Sequence, residues 1–348
     1  MLKLYTDTSF LTESNRKQVF PLLFDLWYLK NDNLINCYQL TADIVSCDVV
    51  VLPIDYGALL KQPEALNRLL QTAKTHHKPL WIYSAGDYGF TNYIPHSYTF
   101  RMGGFKSKLP KNTFVLPAFI NDPYDDYLTQ DFGVLNKTSA PHIGFVGHAQ
   151  GGIKKLAKEL LSHLKYVIRR KFGFIKADAQ AFYPSSIKRE KYLSVLSKSP
   201  DLETDFILKP QYRAGAQTEA LKQASSQTFF NNIYNNAYTF CSRGVGNFSV
   251  RFYEVLAVGR IPVLLDTDCQ LPLEPQIDWK KHGVILDARS NKPLATQILE
   301  FHERLSPDAF KQLQRDNRAL WLQQLERIAY FKQIHHMFNK PVEDVSSF

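Results

Sequence analysis

Apolar residues along this chain gather in short runs separated by longer mixed segments, a spacing that predicts strands alternating with helices. Cys47 to Pro53, CDVVVLP, is a short run apolar but for Asp48, as a strand covered on both faces should be. Leu2 to Tyr5 and Pro79 to Ser84 read as strands beside it. Leu59 to Ala73 reads as an amphipathic helix, and Val19 to Tyr28 as a helix or buried segment. Tyr98 to Arg101 and Thr113 to Pro117 add short β-like pieces. A second series follows: His142 to Val146, Asp205 to Leu208, Tyr238 to Cys241, Ile261 to Leu265 and Gly283 to Asp287. Helical patterns lie between these strands, from the glycine-containing loop 147–152 to about Lys171 and again near Ser194 to Ser199. Further helices run from Pro293 to about His336. Strand and helix in alternation predict parallel sheets. The polar, turn-rich stretch 121–141 separates the two series, so the expected domains are residues 1–140 and 141–325, with 326–348 as a terminal helical extension.

Residues 237–266 carry the densest signal. After the run Tyr238 to Cys241 the chain passes Gly244 and Gly246, and Phe248, Phe252, Val255 and Leu256 then repeat at helical spacing. Asn247 is the candidate N-cap and Gly259 the candidate stop. In a strand–loop–helix–strand unit the helix N-terminus sits beside the carboxyl end of the first strand, where free N–H groups suit a phosphate. Arg243 and Arg251 could grip an anion in bidentate fashion, and Glu254 could accept from two sugar hydroxyls. The same residues also fit an exposed Arg251–Glu254 pair beside glycines that only turn the chain.

The order of residues adds to this pattern. RGVGNFSVRFYEVLAVGRIPVLLDTDCQLPLEPQIDW, Arg243 to Trp279, resembles the donor-binding half of the exostosin-like glycosyltransferases, with their RGxGxxSxRFYExLxxGxIPV run, DxxLP block and IDW. That resemblance implies a GT-B architecture, two Rossmann-like domains facing each other across a cleft. It also implies an inverting mechanism and a uridine-diphosphate sugar donor, and places Gly244, Gly246, Asn247 and Ser249 with Arg243, Arg251 and Glu254 around that donor. In GT-B proteins the last helix often returns to the first domain, which points to Tyr330 to Phe338. The strand Asp205 to Leu208 leads into Lys209 and Arg213, two further diphosphate candidates, with Lys209 standing where the family's RxxYxAG-like element has arginine. His148, in the loop after His142 to Val146, is a candidate donor contact.

Inverting transfer needs a base for the acceptor hydroxyl. Asp87 and Asp55 lie just past the strands at Pro79 to Ser84 and Cys47 to Pro53, where open α/β sheets bind ligands, and His96 follows Asp87 closely. Asp and Gly after a strand also make ordinary turns and caps, so these three stand as candidates. Asp266-Thr267-Asp268 is a literal D-x-D, but it falls inside the exostosin-like block after a phosphate-suited loop; it reads as a closing loop, and no metal ligand and no cofactor beyond the nucleotide-sugar co-substrate is expected. Asp122, Asp125 and Asp126 read as a solvated loop, and the adjacent His335 and His336 point in different helical directions.

Composition narrows the partners. A hydrophobic content of 45% and a charged content of 22% suit a globular protein of two domains within 348 residues. The net charge of +9 favours anionic partners: nucleotide sugars, acidic glycans or a lipid-linked glycan acceptor, with peripheral attachment at the membrane. No nucleic-acid motif or basic arm accompanies it, so nucleic acid is not an expected partner. Four cysteines without C-x-x-C spacing predict reduced thiols. The first residues, MLKLYTDTSF, resemble no leader, and beside the membrane-anchored eukaryotic exostosins this suggests a bacterial, cytoplasmic relative, at most at the inner face of the plasma membrane. The expected activity is extension of a bacterial surface polysaccharide, capsule or O-antigen; the competing reading is a non-catalytic nucleotide-sugar-binding or scaffolding subunit of a synthase complex.

Overall fold

The computed structural model describes residues 1–210 and 218–339. Six parallel strands form the first sheet: β1 (Leu2–Tyr5), β2 (Tyr38–Thr41), β3 (Val49–Val51), β4 (Leu80–Ser84), β5 (Ser97–Arg101) and β6 (Thr113–Val115). Their order is β2-β1-β3-β4-β5-β6. Five more form the second: β7 (His142–His148), β8 (Glu203–Lys209), β9 (Tyr238–Cys241), β10 (Ile261–Leu265) and β11 (Val284–Leu286), in the order β11-β10-β9-β7-β8, again all parallel. Each sheet therefore reverses its winding once, between β1 and β3 and between β7 and β9. At such a switch point the loops leaving neighbouring strands diverge to opposite faces and open a crevice at the carboxyl edge.

The longer helices are α1 (Pro63–Thr75), α2 (Ile153–Lys171), α3 (Ser185–Leu196), α4 (Glu219–Asn235), α5 (Val250–Val258), α6 (Leu294–Glu303), α7 (Pro307–Leu320) and α8 (Arg327–Phe338). α5 forms because apolar residues recur on all sides of it: Phe252, Tyr253 and Val255 to Val258 are all buried. It stops at Gly259, whose φ of 74° is the left-handed conformation that glycine adopts without strain. Its N-cap is Ser249, not Asn247. β10 follows at once and is buried along its whole length.

One apolar core runs from β1, β3 and β4 through to α5 and Trp279, so the two lobes share packing, while a second fills the far face of the second sheet. α8 lies on the first sheet, with Tyr330 Oη donating to the Val115 carbonyl at 3.0 Å and the Phe338 ring 4.8 Å from Trp81. Tyr38 Oη donates in turn to the Phe331 carbonyl at 2.6 Å. Asp122, read from the sequence as part of a solvated loop, instead caps a short helix and takes a bidentate pair from Arg318 of α7, one bond at 3.1 Å. No described helix is long and apolar enough to cross a membrane.

Candidate active site

Between the lobes lies a cleft of about 1180 Å³, lined by the carboxyl-edge loops of both sheets and by α2, α3, α4 and α5. Its floor is the switch point between β7 and β9. α5 starts there, and a nine-residue helix leaves its first N–H groups directed at the crevice. Ser249, only 7% exposed, holds the cap position without forming a cap bond, and its Oγ has no hydrogen-bond partner among the described residues. A buried, unpartnered hydroxyl at a helix N-terminus beside a cleft has hydrogen-bonding capacity that a ligand atom could satisfy.

Two guanidinium groups flank this corner. Arg251 donates from Nη2 to the Val146 carbonyl at 2.7 Å and lies 4.1 Å from the centre of the Phe145 ring. Arg189, on α3, donates to the carbonyl of His148 at 2.7 Å, to Ser242 Oγ at 3.0 Å and to the Arg243 carbonyl at 3.2 Å. It thus ties the loop after β7 to the loop after β9. Burial, with the neighbouring Arg251 charge, pushes its pKa down to about 10, so both cations persist at neutral pH and repel each other. Burial likewise lowers Arg251. Arg189 escaped the sequence reading, because its partners are 41, 53 and 54 residues away and no local motif surrounds it.

The other expected donor residues take several places. Gly244, Gly246, Lys209, His148 and Glu254 line the cleft with Ser249 and Arg251. His148 lies between two partners, its Nδ1 3.1 Å from the Lys209 carbonyl and its Nε2 3.0 Å from Lys155 Nζ. The ammonium can only donate, so Nε2 accepts from Lys155 and Nδ1 donates to the Lys209 carbonyl. Gly246 serves the lobe interface: a Cβ there would collide with the carbonyl of Asp87 on the first lobe. Asn247, expected to cap the helix and touch the donor, is 2% exposed and not on the cleft wall; its Nδ2 donates to the carbonyls of Gly104, Thr267 and Asp268, each at 3.1 Å, pinning the lobes together. Arg243 is also a brace. It lies between the rings of Phe105 and Tyr183, donates to the Val245 carbonyl at 2.8 Å and faces the small void behind Ser249 rather than the open cleft. Arg213 lies outside the described residues.

On the opposite wall, Asp87 is exposed and lines the cleft. Its loop is held by Arg101, a buried residue that donates to the Tyr88 carbonyl at 2.6 Å and pairs with Asp178 of the second lobe at 2.7 Å. The other two base candidates are elsewhere. Asp55 caps a short helix, accepting from Ala58 N at 3.0 Å and Ala85 N at 2.7 Å, so its carboxylate stitches two loops together. His96 precedes β5, and its carbonyl accepts from Leu80 N at the start of β4 at 3.0 Å. In a parallel sheet that is the amino edge, opposite the edge that opens on the cleft, because an active-site loop must follow a strand rather than precede it. The D-x-D loop is internally bonded, with Asp266 Oδ1 accepting from Asp268 N at 2.8 Å and Asp268 holding Ser107 of the first lobe. Among the described residues no three His, Cys, Asp or Glu side chains converge as a metal site.

Two parallel α/β lobes with facing carboxyl edges and a cleft between them define the GT-B class of fold. No family model matches the chain. Among curated proteins, human exostosin-like 1 is 31% identical over 93 residues, 27% of this chain and 12% of that protein. Drosophila melanogaster exostosin-1 is 32% identical over 89 residues, 26% of this chain and 11% of that one, and mouse exostosin-like 1 is 30% identical over 118 residues, 34% and 16%. The chain therefore spans only a small part of the length of these relatives. They carry the family name of the proteins that the Arg243–Trp279 run resembles, and the matched segments cover at most 34% of this chain. Solved structures include HepE from Anabaena in complex with UDP and glucose, 10% identical with both chains fully covered and a TM-score of 0.39. An alpha1,3-fucosyltransferase is 12% identical, with 96% of this chain and 90% of that one covered and a TM-score of 0.35. At such low scores the class of fold rests on the chain's own strand order and cleft.

Proposed function

We propose that the protein is an inverting glycosyltransferase that takes a sugar from a nucleotide-diphosphate donor, a UDP-sugar, without a metal ion. The observation that carries this reading is the corner formed by the N-terminus of α5, the unpartnered Ser249 Oγ and the Arg251 and Arg189 guanidinium groups at the switch point of the second sheet. In the proposed complex the α5 amides and Ser249 donate to the diphosphate, Arg251 and Lys209 face its charge, and Glu254 accepts from the ribose hydroxyls. Arg189, Arg243 and Asn247 position the loops.

The acceptor enters beside Asp87. Its hydroxyl oxygen attacks the anomeric carbon, the bond from that carbon to the phosphate oxygen breaks, and the acceptor proton passes to the Asp87 carboxylate. Charge gathers on the departing diphosphate, where preorganised donors stabilise it most. The exostosin-like relatives and the basic net charge support a glycan acceptor, and we assign the product to a bacterial surface polysaccharide, capsule or O-antigen, made on the cytoplasmic side of the membrane. A panel of nucleotide sugars assayed for diphosphate release in the presence of EDTA tests the reading. Asp87→Asn should abolish turnover while leaving UDP affinity intact; a variant that turns over normally removes Asp87 from the reaction.

A further inference from the structure

α2 is turned the unusual way round. Lys155, Glu159, His163 and Tyr166 face the cleft, and Tyr166 is the one buried residue in a helix of 19. At about 100° per residue, Ile153, Leu156, Leu160, Leu161, Leu164, Val167 and Ile168 fall in a single stripe about a third of a turn round the helix from that face. That stripe is in solvent: Ile153 is 86% exposed, and Leu161 and Ile168 are 68% and 54% exposed. Phe172 and Phe174 extend it past the helix end at 69% and 72%. A helix on a globular domain ordinarily turns such a stripe into the core, and a contiguous exposed one marks a contact surface.

The charges say what covers it. Lys154, Lys158, Lys165 and Arg169 project along one flank of the stripe, and residues 153–176 hold eight Lys and Arg against the single acid Glu159. An apolar face bordered by cations of one sign matches a surface that offers diffuse negative charge over a hydrocarbon interior. A protein partner would have to supply acids at fixed positions to meet the same row.

We infer that α2 docks the protein on an anionic phospholipid bilayer, lying in the headgroup plane with its leucine stripe in the acyl boundary and its lysine row on the phosphates. Because another face of the same helix lines the cleft, docking holds that wall of the cleft within about one helix diameter, roughly 10 Å, of the lipid. This anchorage is independent of the reaction proposed for the cleft.

The test is flotation of the full chain with vesicles of phosphatidylcholine alone or with about 30 mol% phosphatidylglycerol. The chain should float with the anionic vesicles only and detach as salt is raised. The pair Leu161→Ser and Ile168→Ser, and separately Lys154→Gln with Lys165→Gln and Arg169→Gln, should each lower the bound fraction about tenfold or more. Both variants should keep the wild-type thermal midpoint and UDP affinity, since none of these residues lines the cleft. Failure to float with anionic vesicles overturns the inference, as does equal flotation with neutral ones. It is also overturned by a wild-type dimer that the Leu161→Ser, Ile168→Ser pair converts to monomer, because a second copy would then cover the stripe.

Discussion

Ser249→Ala separates a ligand-binding group from a structural one, because the two roles demand opposite outcomes. A serine at an N-cap ordinarily stabilises its helix, and replacing it by alanine costs about 0.5–2 kcal/mol. Ser249 makes no such bond, and its buried Oγ has no partner. Without ligand, alanine therefore removes an unsatisfied polar atom, and stability should stay level or rise by up to about 1 kcal/mol. In the donor complex the hydroxyl bonds to a charged phosphate, a contact on the order of 1.5–3 kcal/mol. Its loss should weaken UDP binding roughly 10-fold to 100-fold. Denaturant melts of the free protein and calorimetric titration with UDP read the two quantities separately. Lower stability of the free variant together with unchanged UDP affinity would refute the reasoning and return Ser249 to an ordinary helix start.

Other outcomes follow from the same geometry. Arg189→Gln should disturb two loops at once, costing about 2–4 kcal/mol of stability and weakening UDP binding, whereas a pure surface arginine would show neither; melts and titrations decide. Asp25 is buried 2.9 Å from Arg327 of α8, neither of its oxygens forms a well-aligned hydrogen bond, and burial raises its pKa to about 6. A carboxyl whose folded pKa exceeds its unfolded one makes the folded state hold the extra proton. Its contribution is therefore greatest below about pH 4 and is lost as pH rises towards 6, by at most about 3 kcal/mol. Asp25→Asn should flatten the stability profile across that window without destabilising the protein at pH 7; a profile as steep as wild type's would exclude Asp25 as its source. Asp122→Asn should break the Arg318 pair between the linker region and α7 and lower the thermal midpoint, while Asp122→Glu restores part of it.

The α5 unit was legible because everything that defines it is local. Apolar periodicity from Phe248 to Leu256, a left-handed stop at Gly259 and a buried strand from Ile261 are visible within thirty residues. The parallel sheets followed from the same local alternation, whereas the GT-B arrangement of the two lobes was implied only by the resemblance of Arg243–Trp279. β2 was not seen, since YQLT is four residues at a sheet edge with a polar position inside it. Asn247 shows where local reasoning fails: a cap-forming residue in a cap-like place was taken by a tertiary task, bonding three carbonyls from two distant loops. Arg189 and Arg101 hold the two walls of the cleft through contacts far apart in sequence, and only assembled loops reveal them. α2 was legible as a helix running to about Lys171, but periodicity cannot say which faces meet solvent, and here the apolar stripe does so along with the lysine row.

The claim on which the account depends is that a pyrophosphate sits at the N-terminus of α5. A crystal structure of the full chain with UDP tests it most directly. The account expects phosphate oxygens within hydrogen-bonding distance of Ser249 Oγ and the first α5 amides, with Arg251 alongside and Glu254 at the ribose. Nucleotide density elsewhere, with that corner left to solvent at saturating UDP, would contradict it.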